Sequence, residues 1–316
     1  MEKNDRGVFG GCIMPNSLNK FFRNPLLLFM SLGHRELLNW MDDKTYLKLA
    51  FFASTGKRLN LDNPKTFNEK IQWLKLYDRK PIYTTMVDKY EVKKRVAEQI
   101  GEKYIIPTLG VWDRFDEIDF DRLPNQFVLK CTHDSGGLMI CRNKEEFDKK
   151  TAKKMLESCL RHSFYWGQRE WPYKNVKPRI ICEKLISDGA NTDLKDYKVF
   201  VFHGKAHCIQ VDIDRFTNHH RNFYSLDWEY IPFTTCYPTA PDTQIPRPNN
   251  LNELITVSEK LALSVGNPPF VRIDMYILED TDQLLFGEMT FYHGSGTEKF
   301  YPEEYNLLLG NMISLP

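Results

Sequence analysis

Two apolar runs near the C-terminus constrain the fold most. FVRIDMYIL (270–278) and QLLFGEMTF (283–291) are separated only by the acidic turn EDTD. Runs of that length around so short a turn predict an antiparallel hairpin. Side chains alternate between the faces of a strand. Arg272 and Asp274 therefore share a face, as do Glu288 and Thr290 on the returning strand. Pairing can bring Asp274, Glu288 and the Thr290 hydroxyl around one point. Two carboxylates and a hydroxyl make a hard oxygen site suited to Mg²⁺. Arg272 beside them could stabilise negative charge developing on a phosphoryl or tetrahedral centre. The plain alternative is an amphipathic hairpin with a solvated charged face. The apolar neighbours Val271, Ile273, Met275, Phe286, Met289 and Phe291 count against it.

The rest of the chain predicts an α+β fold, with helices first and then mostly antiparallel strands with intervening helices. Residues 1–60 read as an N-terminal helical extension and 61–125 as a helical or α+β region. Residues 126–190 read as a small lobe with a glycine-rich loop, and 191–316 as a larger lobe with the hairpin. Thr66 and Glu69 have the spacing of a capping box, and Phe67, Ile71 and Leu74 follow on one helical face. A second helix is expected over about 84–100, with Val92, Val96 and Ile100 on one face and Gly101 ending it in the left-handed conformation. Asn143 and Glu146 are expected to cap a helix reaching about Arg161. Strands are expected at 179–186, 197–203 and 206–213, a proline-rich loop at 232–248, and a helix through Leu254, Val257, Leu261 and Val265.

Net charge is +1, so no broad field draws nucleic acid, and any anion must be held by local groups. The seven cysteines include no C-x-x-C pair. They read as reduced, small core residues of a cytoplasmic protein rather than zinc ligands or a nucleophile. FFRNPLLLFMSL (21–32) is shorter than the ~20 apolar residues a spanning helix needs. It reads as a helix packed on the body, with peripheral contact at the inner face of a membrane as a second reading.

Three further patterns carry chemistry. In FVLKCTHDSGG (127–137) a strand delivers Lys130 to a loop ending Ser135-Gly136-Gly137, where glycines let backbone N–H groups approach an anion. Taken alone, this also fits a hairpin loop with one exposed lysine. In IICEKLI (180–186) an apolar strand carries Glu183 and Lys184. That suits either a sheet opening onto a ligand or the solvent face of an edge strand. In DYKVFVFHGKAHCIQVDIDRF (196–216) the HGK turn predicts a hairpin with Asp196 and Lys198 on one strand and Asp212, Asp214 and Arg215 on or after the other. His219, His220 and Arg221 form a polar cluster nearby. Asp212-Ile213-Asp214 is a D-x-D, which would hold a metal and sugar nucleotide in a glycosyltransferase. Alternating aspartates on a strand are also an ordinary solvated face.

Taken in order, these patterns resemble the ATP-grasp superfamily. NPKTFNEKIQWLKLYDR (63–79), VDKYEVK (87–93), FVLKCTHDSGG and FGEMTFYHGSG are similar to its TupA-like branch, named for teichuronopeptide biosynthesis. The likeness covers about residues 44–300. It implies an ATP-grasp fold, two α+β lobes clamping ATP. Lys89 and Lys130 would reach phosphates, with 134–137 as the covering flap. Glu183, Lys184 and the Leu185 backbone would form the adenine hinge, and Lys198 a further γ-phosphate contact. Asp274 and Glu288 would ligate magnesium, with Thr290 where the family usually has Asn, and Arg272 would stabilise the acyl-transfer centre. The implied activity is an ATP-dependent carbon–nitrogen ligase that joins an amino acid or small amine to a uronic acid in capsular or surface-polysaccharide assembly. Asp212, Arg215, His219 and Arg221 are the candidates for the acidic sugar. A metal-dependent glycosyltransferase and an ATP-grasp kinase are the alternatives.

Overall fold

The structure, a computed structural model, describes residues 25–186, 194–213, 218–243, 245–278 and 280–316. Helices α1 (Pro25–His34) and α2 (Asp43–Thr55) open it. They share a small core that includes Tyr46, Leu47, Ala50 and Phe51. Among the described residues no helix is long and apolar enough to cross a membrane.

Helix α3 (Phe67–Tyr77) starts at the expected capping box. Thr66 Oγ1 accepts from the Glu69 N–H at 3.3 Å, and Glu69 Oε2 accepts from the Thr66 N–H at 3.0 Å. Thr66→Ala should cost about 1 kcal/mol. Urea unfolding measures it, and an unchanged midpoint would mean the box adds nothing.

The helix expected over 84–100 is two helices, α4 (Pro81–Val87) and α5 (Glu91–Ile100). Asp88 makes the break. Its Oδ1 accepts from the N–H groups of Tyr90 at 2.8 Å and Glu91 at 3.2 Å, a side-chain cap that starts a new helix. Lys89 is thereby placed between the helices. Gly101 ends α5 with φ 113° and ψ 155°, a positive-φ conformation that favours glycine but lies outside the left-handed helical region expected. The helix expected from residue 143 begins later, as α6 (Lys149–Leu160). Asp148 takes the cap by accepting from the Thr151 N–H at 3.0 Å, while Asn143 closes a local turn onto Glu145. A short helix α7 (Phe164–Gln168) follows.

Strands β1 (Thr108–Trp112), β2 (Phe127–Cys131), β3 (Leu138–Cys141) and β4 (Ile180–Lys184) form an antiparallel sheet in the order β1-β4-β2-β3. Its core gathers Phe127, Leu129, Cys131 and Cys182 with Ala152 and Leu156 of α6.

Strands β5 (Asp196–Phe202), β6 (Lys205–Ile213), β7 (His220–Ser225), β8 (Tyr230–Ile231), β10 (Val271–Leu278) and β11 (Gln283–Thr290) form a six-stranded antiparallel sheet. Its order is β11-β10-β5-β6-β7-β8. Within the proline-rich stretch, β9 (Thr234–Thr235) pairs with β12 (Phe300–Tyr301). Helix α8 (Leu251–Ser264) packs across β10, β5 and β6. On strand residues that share a face with Lys198, Phe200 and Phe202 meet Phe270, which contacts Phe67 of α3 edge-on at 4.9 Å between ring centres. Helix α9 (Glu304–Asn311) packs against α3. Alternating apolar and polar strands between helical layers give the α+β architecture expected.

Of the described cysteines, Cys131, Cys141, Cys182 and Cys208 are buried free thiols. Cys159 is half-buried and Cys236 exposed, which corrects the expectation for those two.

Candidate functional site

The register of the large sheet collects charge on one face. Asp274 stands opposite Lys198 on β5 and Glu288 on β11, and Arg272 stands opposite Thr290. One strand further, Asp196 faces Asp212, which faces Arg221. Strand alternation legible in the sequence thus becomes a contiguous field of ions, buried except at Glu288.

Arg272 is the hub. Its Nε and Nη2 donate to the two Asp274 oxygens, both at 2.6 Å. Nη2 also reaches Thr290 Oγ1 at 3.2 Å and Glu288 Oε1 at 3.4 Å. Nη1 lies 2.9 Å from His293 Nδ1. Lys198 pairs with Asp196 at close range, with Asp274 Oδ2 at 3.2 Å and with Asp212 Oδ2 at 3.7 Å. Burial alone would raise the Asp274 carboxyl, but Arg272 and Lys198 outweigh it and hold it below its ordinary value. Burial likewise opposes ionisation of Asp212, yet Arg221, His219 and Lys198 keep it well below the carboxylate range.

A second locus lies on the small sheet. Glu183 is buried between Lys93 and Lys130, whose Nζ atoms each approach a carboxylate oxygen at 2.5 Å. Burial would raise the Glu183 carboxyl, and the two ammonium groups reverse this and lower it. A carboxylate with a depressed folded pKa contributes stability that is complete above its unfolded value. That contribution is lost as pH falls through the folded value. The stability deficit of Glu183→Gln should therefore be full at pH 7 and shrink once pH drops below the ordinary glutamate value of 4.5. Urea titrations at both pH values measure it, and a deficit that grows in acid would contradict the assignment.

Lys89 joins the two loci. Its N–H donates to Thr132 O, and its Nζ donates to Asp134 O at 2.6 Å in the β2–β3 loop and lies 3.9 Å from Glu288 Oε2. The loop is anchored at its base by buried His133, whose Nε2 meets the carbonyls of Cys159 and His162 at 3.1 Å. Gly136 and Gly137 follow Ser135 with φ of 133° and 41°, a path closed to most side-chain-bearing residues.

The structure thus brings together Lys198, Arg272, Asp274, Glu288 and Thr290, with Lys89 and the loop of Ser135, Gly136 and Gly137 beside them. Lys130 and Glu183 are paired on the small sheet. The Glu183 side chain is committed to two lysines rather than projecting free as a reader of adenine. The Lys184 N–H donates to Pro107 O, and Leu185 lies just past the strand. Asp212 and Arg221 are likewise committed to each other, Nε to Oδ1 at 2.9 Å. Arg221 also reaches Thr235 and Glu298. His219 packs against Tyr237 with 3.7 Å between ring centres and 31° between ring planes. Asp214 and Arg215 lie outside the described residues.

Several side chains had no role in the sequence reading. Lys93 lies in the VDKYEVK phrase, and His293 and Glu298 lie in and after FYHGSG. Asn68, Gln72 and Lys75 form a buried polar stripe at i, i+4 and i+7 on α3, legible beside its apolar one. They donate to the carbonyls of Glu298, Ser295 and Gly296, and Ser295 respectively, at 2.7 to 2.9 Å.

Residues 69–314 match the family model described as TupA-like ATPgrasp. The chain belongs to the TupA-like ATP-grasp family. The match takes in both sheets and every described site residue from Lys89 to Thr290, so the architecture above is an ATP-grasp fold. Among solved structures, N5-carboxyaminoimidazole synthetase from Staphylococcus aureus is 14% identical with a TM-score of 0.40, over 73% of this chain and 53% of its own. The same enzyme complexed with ADP is 14% identical at 0.42, over 78% and 58%. D-alanine–D-alanine ligase from Bacillus anthracis is 18% identical at 0.39, over 66% and 57%. The chain thus spans little more than half the length of these proteins. No curated protein matches it.

Among the described residues, no three or more His, Cys, Asp or Glu side chains are gathered into a ready-made metal cage. Magnesium does not require one, since it usually takes one or two carboxylates with waters and substrate phosphates. Asp274 and Glu288, cross-strand partners with Arg272 as their present counter-charge, fit that demand.

Proposed function

We propose that this member of the TupA-like ATP-grasp family is an ATP-dependent carboxylate–amine ligase. The observation that carries the reading is the position of Lys89. It ties the glycine-bearing loop to the strand face where Glu288, Asp274 and Arg272 converge. Phosphoryl transfer asks a protein mainly for positioning and charge neutralisation, and this cluster supplies both. Lys89, Lys130 and the N–H groups of residues 135–137 would hold phosphate oxygens. Asp274 and Glu288, with the Thr290 hydroxyl, would hold magnesium, which would neutralise phosphate charge when bound. Arg272 would face the acyl carbonyl oxygen, which gains negative charge as the amine adds to the acyl phosphate. The γ-phosphate would pass to a carboxylate, and the amine would then displace phosphate from the acyl phosphate to leave an amide. The substrates we propose are a uronic acid, free or within a glycan, and an amino acid or small amine. In this reading the protein works in the cytoplasm, with peripheral contact at the inner face of the membrane.

ADP release by the full chain should require both carboxylate and amine. A screen of uronic acids against amines, with mass spectrometry of products, tests this. A stable phosphorylated product formed without amine would favour the kinase reading. Sugar-nucleotide hydrolysis unaffected by ATP would favour the glycosyltransferase reading.

A further inference from the structure

His293 lies outside the set of residues just assigned, yet it touches the central one. Its Nδ1 is 2.9 Å from Arg272 Nη1. A guanidinium only donates, so Nδ1 accepts and carries no proton. The neutral ring then bears its hydrogen on Nε2, which faces Glu298 Oε2 at 3.2 Å, close but poorly aligned for a hydrogen bond. The ring is 2% exposed and meets Phe200 edge-on at 4.7 Å. Burial lowers its pKa, an effect that outweighs the nearby Glu298 carboxylate.

The backbone that carries His293 is fixed. Gln72 and Lys75 of α3 hold the carbonyls of Ser295 and Gly296, and Asn68 holds that of Glu298. Gly296 has φ 62°, and a Cβ there would lie 2.8 Å from Ile71 Cγ2. The loop is therefore pressed onto α3 more closely than any side chain allows.

We propose that His293 is the positioning residue of Arg272, a neutral acceptor that keeps the guanidinium on the sheet face when Asp274 turns its oxygens to a cation. The two 2.6 Å bonds from Arg272 use the Asp274 oxygens that a magnesium ion would claim. The bond to His293 uses Nη1 and survives that competition. A carboxylate in its place would tether Arg272 as firmly but cancel its charge. The imidazole leaves that charge available to a developing anion. This deepens the ligase reading and rests on it for its kinetic test only.

Nitrogen NMR of the ¹⁵N-histidine-labelled full chain decides the tautomer, with His293 assigned by its loss in His293→Asn. The expected result at pH 7 is a neutral ring protonated on Nε2. A proton on Nδ1, or on both nitrogens, overturns the proposal. In the ADP-release assay, His293→Ala should lower kcat by about 10- to 100-fold with KM for ATP within about twofold. His293→Asn, which restores an oxygen acceptor near the Nδ1 position, should recover most of it. Equal losses in both variants, or a loss confined to KM, overturn the proposal. If the wild-type chain releases no ADP with any carboxylate and amine, the ligase reading falls. The His293 proposal is then decided by the tautomer alone.

Discussion

Lys198→Met should lower the unfolding free energy by about 3–5 kcal/mol at neutral pH, the cost of removing one partner from a buried ion cluster. Lys198 is 5% exposed and faces Asp196, Asp212 and Asp274, themselves buried. Without it, three carboxylates face one another in a medium that screens them poorly, and methionine fills the volume without supplying charge. The sign of the pH dependence follows from the depressed Asp212 and Asp274 carboxyls. The stability they gain from their cations is present above the ordinary aspartate value of 3.8 and lost as pH falls through their folded values. The difference between wild type and Lys198→Met should therefore be largest near pH 7 and narrow towards pH 3. Urea unfolding across that range measures it. A deficit under about 1 kcal/mol at pH 7, the scale of an exposed pair, would show that Lys198 is not the keystone drawn here.

Glu288→Gln and Asp274→Asn should each lower ATP turnover by about 100- to 1,000-fold, the scale for losing one preorganised electrostatic group. Their stability effects should differ. The Glu288 side chain is 38% exposed and 3.4 Å from Arg272, so its amide should leave the unfolding midpoint nearly unchanged. Asp274 is buried and shared by Arg272 and Lys198. Its amide leaves two buried cations without their common counter-charge, and the fold should weaken as well. Full magnesium-dependent ADP release by Glu288→Gln would remove Glu288 from the proposed metal site.

Local signals in the sequence were strong where a single turn or strand decides them. The Thr66–Glu69 box, the α3 face and the 270–291 hairpin form as their spacing implies. The uninterrupted helix over 84–100 does not form. An aspartate inside a helical pattern caps only when its side chain turns onto the N–H groups two and three residues on, and Asp88 does so while its other oxygen pairs with Arg179 at 2.8 Å. Arg179 is far away in sequence. The pairing of Asp212 with Arg221 was hidden in the same way. Each looked free on its strand until the neighbouring strand brought them together.

The sequence by itself determined which residues share a strand face, because alternation is a property of any extended chain. Arg272 with Asp274, and Glu288 with Thr290, follow from counting by twos. Tertiary structure decided what those faces meet. It set β5 between β6 and β10, so that Lys198 lies among three carboxylates. It brought Lys89 from a helix break to the loop beside Glu288 and pressed the His293 loop against α3. These contacts join segments up to 230 residues apart. Their free energy depends on burial and mutual distance, which no local pattern encodes.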